Sequence, residues 1–290
     1  MQDKLEFVGF IIFLKLFKIL PYSLAEKLLA KIFVWGGYYL GIRRRVAEQN
    51  LQMVYPEMSN QQRKKILKKM YYHLGITSAE TYLANFKKLV SKTSFKGKEN
   101  IEKALSLQKG VIITTGHFGN WELAGRVMAL HWPMSVVIKK QHNKYFNDYT
   151  NKIREQGGMK IIYKKRALRG ILKYLKQNYL VCLLIDQNAR KNGMKMDFLG
   201  KPASVFIGAA KISIKTQAPI VPAVIIRKHD GSHSICYEEP IFPTNYQNNM
   251  TDIKKYTKEI NSSLENYINQ YPEQWFWVHR RWREPNRARR

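Results

Sequence analysis

A histidine and a glutamate stand five residues apart in the stretch "TGHFGNWELAG", as His117 and Glu122. On one continuous α-helix, residues at this spacing lie roughly 140° apart around the axis, so their side chains cannot meet. They can meet if His117 lies in a turn, which Gly116 and Gly119 permit, and Glu122 lies in the helix that follows. The carboxylate would then fix the imidazole tautomer and leave the other ring nitrogen free to accept a proton. The spacing therefore suggests a general base with its orienting partner.

The same spacing also fits a helix-capping histidine beside a surface glutamate. The sequence contains no Ser or Cys in a nucleophile elbow of the GxSxG type. If His117 is a base, the simplest scheme is direct attack by a substrate hydroxyl, without an acyl-enzyme.

Alternating apolar runs and helical stretches must position this pair. Strands are predicted at "VIITT", "MSVVIK", "MKIIY", "YLVCLLID", "PIVPAVIIR" and "SICYEEPI", and helices at residues 121–130, 146–156, 168–177, 205–216 and 251–271. This order predicts an α/β fold with a mostly parallel central sheet flanked by helices. "KHDGSH" predicts a hairpin turn between the last two strands. His117 would then lie at the carboxyl end of a strand, where open α/β sheets bind ligands.

The first 95 residues read as mostly helical. Residues 1–40 are predicted to be membrane-anchoring or interfacial helices, because apolar residues recur at helical spacing with Lys, Arg and aromatic residues beside them. The uncharged run 7–14 is short for a membrane span. Residues 41–290 would form the remaining domain, with 41–95 as a helical lead-in and 96–290 as an α/β core ending in a basic, aromatic tail.

The charge balance indicates an anionic partner. Fifty Lys and Arg against 21 Asp and Glu give a formal net charge of +29. Nucleic acid, an acidic membrane surface and phosphorylated substrates all fit this charge. Two cysteines, Cys182 and Cys236, lie in apolar runs and are predicted to be buried free thiols. We expect no metal, because no zinc-type spacing of Cys and His occurs. We also expect no cofactor.

Four stretches carry a resemblance to a known family. "TGHFGNWELAG" resembles the His-x-x-x-x-Asp/Glu motif of the glycerolipid acyltransferase superfamily. "VVIKKQHNKYFNDYTNKIR", "LIDQNARKNGMKMDFLGKPAS" and "PEQWFWVHRRWR" are similar to three further blocks of the late acyltransferases of lipid A biosynthesis, the lauroyl/myristoyl transferases. The similarity runs from about residue 5 to residue 284. Leu199 replaces the second Phe of the family's Phe-Phe-Gly, and the first of these blocks lacks the usual Arg-Pro and Asn-Pro pairs.

The resemblance implies a function. The fold would be glycerolipid-acyltransferase-like, with an N-terminal membrane-associated helical segment. The donor would be an acyl chain on acyl carrier protein, and the acceptor a phosphorylated, Kdo-bearing lipid A precursor. The enzyme would act at the cytoplasmic face of the bacterial inner membrane. Acyl carrier protein, the phosphorylated glycolipid and the membrane surface are all anionic, which suits the protein's positive charge.

Within that function, His117 is the predicted base and Glu122 its orienting partner. Backbone N–H groups near Gly119 and Asn120 are candidate donors to the thioester oxygen. Arg154 is a candidate for the same task or for gripping a phosphate. The other predicted substrate-binding positions, each with a structural alternative such as loop capping, turn formation or core packing, are Asp186, Gly200, His279, Arg280 and Arg281.

Two alternatives remain open from the sequence. One is a related acyltransferase with another lipid acceptor, such as a lysophospholipid, a glycolipid or an aminolipid. The other is a basic nucleic-acid-binding protein, since "WFWVHRRWR" interleaves rings with cations. No recognition motif supports the second alternative, and the apolar N-terminus opposes it. We therefore expect no nucleic-acid partner.

Overall fold

The computed structural model describes residues 1–283 and has a parallel sheet at its centre. The strands are β1 (Thr93–Lys96), β2 (Val111–Thr115), β3 (Met134–Ile138), β4 (Lys160–Tyr163), β5 (Leu180–Leu184), β6 (Met194–Phe198), β7 (Lys201–Val205), β8 (Ile220–Arg227) and β9 (His233–Tyr237). Seven of them form one sheet in the order β1-β9-β8-β2-β5-β3-β4, while β6 and β7 pair as a separate hairpin. Within the sheet, only β8 and β9 are paired in antiparallel fashion. The predicted α/β class and mostly parallel sheet are confirmed.

Helices precede the sheet and cover both of its faces. They are α1 (Gln2–Ile19), α2 (Tyr22–Val34), α3 (Arg44–Val54), α4 (Asn60–Tyr82), α5 (Phe86–Ser91), α6 (Lys98–Leu105), α7 (Trp121–Met128), α8 (Lys144–Gln156), α9 (Ala167–Lys176), α10 (Gly208–Thr216) and α11 (Met250–Gln270). Helix α2 continues directly into one turn of π-helix, which comprises the five residues Trp35–Tyr39.

Two separate hydrophobic cores form because successive side chains of a strand point to opposite faces of the sheet. In β5, Cys182 belongs to the core beneath α6 and α7, whereas its neighbour Leu183 belongs to the core beneath α9, α10 and α11. In β2, Ile113 and Ile112 divide in the same way. Strand β2 therefore lies near the middle of the sheet, buried on both faces, as its continuous apolar run predicts.

The N-terminal helices attach to the α/β core along one side only. Helix α2 buries Ala25, Leu29 and Ala30, and it packs on α4. Helix α1 packs on α8 through aromatic contacts of Phe7 and Phe10 with Phe146. Their other faces are exposed and apolar, with residues at helical spacing: Leu5, Val8, Ile12, Leu16 and Ile19 on α1, and Leu24, Leu28 and Ile32 on α2. Within residues 1–283, every helix is too short or too polar to cross a bilayer.

Several local predictions can be compared with these elements. The hairpin turn at "KHDGSH" is confirmed by the pairing of β8 with β9, and both cysteines are buried free thiols. Strand β1 and the hairpin of β6 and β7 were not predicted, since both lie in stretches with many charged residues. The helix predicted from residue 205 begins at Gly208, because residues 201–205 form β7. The division at residue 40 stays a prediction.

Candidate active site

His117 lies in the turn between β2 and α7, at the carboxyl edge of the sheet. The turn comprises the five residues 116–120, with Gly119 at a φ of 55°. A Cβ at Gly119 would approach the carbonyl oxygen of Ile225 to 2.0 Å, so this position requires glycine. The Gly119 N–H donates to the Gln274 carbonyl. The turn is thereby held against both β8 and the C-terminal segment.

The partner of the His117 imidazole is Asp186, which follows β5 at the same edge of the sheet. His117 Nδ1 lies 2.9 Å from Asp186 Oδ1, and the backbone N–H of His117 donates to Asp186 Oδ2 at 2.9 Å. Trp275 Nε1 donates to the same Oδ2 at 3.0 Å. The carboxylate is buried and fixed by three bonds, so it sets the position and tautomer of the imidazole. His117 Nε2 then lies 3.4 Å from Gln187 Nε2.

Glu122 does not bond to His117, which corrects the prediction that this pair meets. Its carboxylate accepts two bonds from Arg154, from Nε at 2.9 Å and from Nη2 at 2.5 Å. The reason is the position of Glu122 in the first turn of α7, where it meets α8, the helix that carries Arg154. A guanidinium binds a carboxylate in this two-bond geometry better than an imidazole does. The predicted orienting role therefore falls to Asp186.

Neighbouring charges and hydrogen bonds shift the pKa values of His117 and Asp186. Burial lowers the pKa of His117, but the charge and hydrogen bond of Asp186, with the nearby charge of Glu122, raise it above its ordinary value overall. Burial raises the pKa of Asp186, yet the charge and bonds of His117 and the bond from Trp275 lower it to about 2. The carboxylate therefore stays ionised at neutral pH. His117 acquires a proton more readily than a free imidazole.

Asn120 caps α7 from beneath and does not face the cavity. Its Oδ1 accepts from the Leu123 N–H at 2.9 Å, and its Nδ2 donates to Glu80 Oε2 at 2.7 Å. Asn120 is fully buried and the Gly119 N–H is already bonded to Gln274, so neither residue contacts substrate in this arrangement. This corrects their predicted binding role. Both position the turn that carries His117.

A buried ion-pair network on α4 supports that turn. Arg227 of β8 donates to Glu80 at 2.5 Å and to Thr77 Oγ1 at 3.1 Å, and Thr77 Oγ1 donates to the Gly119 carbonyl at 3.3 Å. His233 Nε2 lies 3.3 Å from the other oxygen of Glu80. The side chains of Glu80 and Arg227 are both buried, about 3–4% exposed. The network thus links the helical lead-in to the turn that carries His117.

Glu80→Gln should lower the free energy of unfolding by about 3–5 kcal/mol, because it leaves Arg227 as a buried charge without a counter-charge. The measurement is thermal unfolding by circular dichroism. Glu239→Gln is the matched control: Glu239 makes an exposed ion pair with Lys103, and its loss should change stability by less than about 1 kcal/mol. Equal, small changes in both variants would contradict a supporting role for the network. The double variant Glu80→Gln, Arg227→Met should recover part of the loss.

The C-terminal segment supplies packing around the site more than it supplies ligands. Arg281 is fully buried, lies over the Phe198 ring and donates to the Ser204 carbonyl at 2.6 Å. It therefore holds the hairpin of β6 and β7 and is closed to a substrate phosphate, which corrects its predicted role. The carbonyl of His279 is bonded by Asn50, and Arg280 is exposed. Neither lines the cavity described below. The last part of the predicted tail, residues 284–290, lies outside the described residues.

Gly200 forms the turn of the β6 and β7 hairpin. Leu199 and Gly200 both have positive φ, 51° and 69°, as a two-residue turn of this type needs. Gly200 is not among the residues that line the cavity. Its predicted turn-forming role is confirmed, and its contact with substrate stays a prediction.

A cavity of about 1120 Å³ opens beside His117. Its wall is mainly apolar, and it also includes Trp121, Glu122, Arg154 and Gln187. Exposed cations lie around its opening: Lys139, Lys140, Lys164, Arg166 and Lys211. Among the described residues, Glu122 is the one acidic side chain in the wall, and it is already paired with Arg154. The cavity therefore suits a long apolar group that carries an anionic end.

Comparison with known proteins identifies the family. A sequence model of the bacterial lipid A biosynthesis acyltransferases matches residues 4–284, nearly the whole chain. The chain belongs to the bacterial lipid A biosynthesis acyltransferase family. This membership makes the protein an acyltransferase.

Curated relatives of this family member cover most of its length. It is 26% identical over 269 residues to the lipid A biosynthesis palmitoleoyltransferase of Escherichia coli (strain K12). This alignment covers 91% of this chain and 86% of the relative. It is 25% identical over 269 residues to the lipid A biosynthesis lauroyltransferase of the same strain, with 91% and 87% covered. The solved 1-acyl-sn-glycerophosphate acyltransferase PlsC of Thermotoga maritima matches with a TM-score of 0.41 and 16% identity, over 86% of this chain and 98% of that one.

Sequence reasoning missed some residues of the candidate site and misassigned others. Asp186 was recognised at the end of an apolar strand, and parallel strands end at one edge of a sheet, so its proximity to His117 could have been inferred. Trp275 and Glu80 carry no such signal. Each is far from His117 in sequence, and only the folded chain brings them to the turn.

Proposed function

We propose that the enzyme transfers a fatty acyl chain from an acyl carrier protein thioester to a hydroxyl of a phosphorylated, Kdo-bearing lipid A precursor. The observation that carries the proposal is the His117 imidazole, which is held at Nδ1 by Asp186 and lies in the wall of a large apolar cavity with a cationic rim. The family membership supports acyl transfer to a lipid. The relatives named for lauroyl and palmitoleoyl transfer support the lipid A precursor as acceptor.

The chemistry is a single displacement. His117 Nε2 removes the proton of the acceptor hydroxyl as its oxygen bonds to the thioester carbonyl carbon. The tetrahedral species then collapses, the carbon–sulfur bond breaks, and the imidazolium returns the proton to the departing thiolate. Asp186 keeps Nδ1 protonated and stabilises the imidazolium. Arg154, held in place by Glu122, stabilises negative charge on the thioester oxygen.

Charge on the cavity rim supports the choice of both substrates. Acyl carrier protein is acidic, and the lipid A precursor carries phosphates. The rim cations Lys139, Lys140, Lys164, Arg166 and Lys211 have no acidic neighbour in the cavity wall that competes for them, apart from the paired Glu122. A guanidinium or ammonium at the opening attracts an anionic carrier or head group over a range set by ionic strength.

Product analysis tests the proposal. The purified enzyme is mixed with acyl carrier protein charged with chains of different length and with a panel of acceptors, and the products are weighed by mass spectrometry. The panel includes a Kdo-bearing lipid A precursor, the same lipid without Kdo, a lysophospholipid and a phosphatidylinositol mannoside. Acylation of the Kdo-bearing precursor in preference to the others is expected. Acylation of the lysophospholipid or mannoside alone would overturn the proposed acceptor.

We further propose that the enzyme works at an anionic membrane surface, the cytoplasmic face of the bacterial inner membrane, with α1 and α2 lying in the interface. The exposed apolar stripes of these helices support this placement, as do Trp35 and Tyr39, which are about 60% exposed at the end of α2. Exposed cations on neighbouring α4, Lys64, Lys65, Lys68 and Lys69, complement acidic lipid head groups.

Ile12→Asp with Leu16→Asp should reduce binding to vesicles, because both side chains are more than half exposed and would face the acyl region. The measurement is co-flotation with vesicles of phosphatidylethanolamine and phosphatidylglycerol. The control Leu107→Asp changes an exposed apolar residue between α6 and β2. Flotation that is unchanged by the α1 variant, or lost equally in both variants, would contradict the interfacial role of α1.

A further inference from the structure

The cavity beside His117 reaches both faces of the central sheet. Its wall includes Cys182 and Leu183, neighbours on β5 whose side chains point to opposite faces and belong to separate cores. Single small-molecule pockets usually measure about 300–1,000 Å³, so a cavity of about 1120 Å³ is large for one ligand group. Because β5 separates the two parts, one straight hydrocarbon chain cannot fill both.

The part on the α7 face, here called the deep lobe, has a buried, apolar wall. It is lined by Ile113, Gly125, Met134, Cys182, Ala223 and Ile235, all of them buried. It extends from β3 across to β9, beneath α7. Three methionines, Met128, Met134 and Met159, and a cysteine give it soft walls that adapt to a flexible chain. The lobe contains no charged side chain except the Glu122 and Arg154 pair near His117.

The part on the α9 and α10 face, here called the open lobe, reaches solvent. It is lined by Ala167, Leu168, Ile171, Leu183, Phe206 and Ile212. Leu168 is 51% exposed, so an apolar surface leads out of the protein here. Exposed Lys164, Arg166 and Lys211 stand at its edge. Apolar wall and cationic edge together fit a chain that remains attached to an anionic head group.

We infer that the two lobes bind two hydrocarbon chains at once, on opposite faces of the sheet, with His117 between them. The deep lobe takes the acyl chain of the donor thioester, because its buried, apolar wall shields a hydrocarbon chain from water. The open lobe takes a chain of the acceptor lipid, whose anionic head group stays at the cationic edge. This inference rests on the proposed function for the identity of the substrates. It adds that the acceptor binds through a hydrocarbon chain of its own.

Adjacent substitutions on β5 test the assignment. Cys182→Phe fills the deep lobe, and Leu183→Phe fills the open lobe, so each is the control for the other. Cys182→Phe should lower kcat/KM for the longest accepted donor chain by roughly tenfold or more relative to a short chain, and leave the KM for acceptor within about twofold. Leu183→Phe should raise the KM for acceptor and leave the donor chain-length profile unchanged. Two variants that both change the donor profile would overturn the assignment.

Gentler variants guard against misfolding. Gly125→Ala narrows the deep lobe, because its Cβ would meet the flexible Sδ of Met159 at 2.8 Å. Leu168→Asp alters the open lobe at a half-exposed position, where the fold tolerates a charge. Each should reproduce the direction of the corresponding β5 variant. A Gly125→Ala enzyme with an unchanged donor profile and a Leu168→Asp enzyme with an unchanged acceptor KM would together contradict the two-lobe assignment.

Binding of dodecanoate separates this inference from the proposed function. Native mass spectrometry of the full chain in amphipol should show two bound dodecanoates in the wild type and one in each β5 variant. A single dodecanoate in the wild type would overturn the two-chain inference, even if the lipid A precursor is acylated. Two bound chains without acylation of any Kdo-bearing acceptor would instead overturn the proposed acceptor and leave the two-lobe architecture standing.

Discussion

His117→Ala should lower kcat for acyl transfer by at least about a hundredfold, the low end of what a positioned general base contributes. The variant removes the group that takes the acceptor proton, whereas the cavity and its cationic rim remain. The KM for acceptor should therefore change much less than kcat. The measurement is steady-state acyl transfer with purified enzyme, followed by mass spectrometry of the lipid product.

Another histidine provides the control for this variant. His229 is exposed in the turn between β8 and β9, so His229→Ala should keep the wild-type rate. His117→Gln tests the chemistry further, because a glutamine preserves polarity but cannot accept and release a proton at neutral pH. Near-normal turnover in a folded His117→Ala or His117→Gln enzyme would rule out the base role. Circular dichroism establishes that each variant is folded.

Sequence periodicity was sufficient for the sheet because the central strands are buried on both faces. "VIITT" and "YLVCLLI" are continuous apolar runs, and both are central parallel strands, β2 and β5. Strand β1 and the separate hairpin of β6 and β7 were harder to predict. Strand β6 alternates apolar and charged residues, and β1 (TSFK) and β7 (KPASV) are short and contain no continuous apolar run, so their patterns compete with that of a loop.

Spacing along the chain placed His117 correctly but misassigned its partner. Local spacing reports only what one turn and one helix can bring together, and Glu122 was the nearest carboxylate in sequence. The actual partner, Asp186, is 69 residues away and arrives through the pairing of β2 with β5. Glu122 in turn meets Arg154, 32 residues away on α8. The two residues of the five-residue motif therefore belong to different pairs: His117 pairs with Asp186, and Glu122 pairs with Arg154.

Three predicted substrate contacts, those of Gly119, Asn120 and Arg281, were wrong for a similar reason. Asn120, Gly119 and Arg281 have the residue types of ligand-binding groups, which is why they were predicted to contact substrate. In the fold, each is buried and bonds within the protein: Asn120 to Glu80, Gly119 to Gln274 and Arg281 to the Ser204 carbonyl. Sequence shows a residue's capacity to donate or accept a bond, but only the fold shows which bonds are already made.

Asp186→Asn should reduce kcat/KM by about 10²–10⁴-fold, in the range known for loss of a carboxylate that orients a catalytic histidine. An asparagine amide can donate to Nδ1, and the proton of the imidazole then moves to Nε2, the atom that must accept one. The side chain keeps its size, and its oxygen can still accept from Trp275, so the fold should survive. Glu122→Gln is the comparison, because it removes a carboxylate of the same site that is not bonded to the imidazole.

The pH profile distinguishes orientation from general damage to the site. His117 acts as a base only when neutral, and Asp186 and Glu122 raise its pKa above the ordinary 6.5. Wild-type kcat/KM should therefore fall as the pH drops below the pKa of His117, which lies above 6.5. In Asp186→Asn, burial lowers the pKa with less opposition, so the acid limb should move to lower pH. Glu122→Gln should move it in the same direction but less, since only a charge effect is lost. A larger shift in Glu122→Gln than in Asp186→Asn would return the orienting role to Glu122.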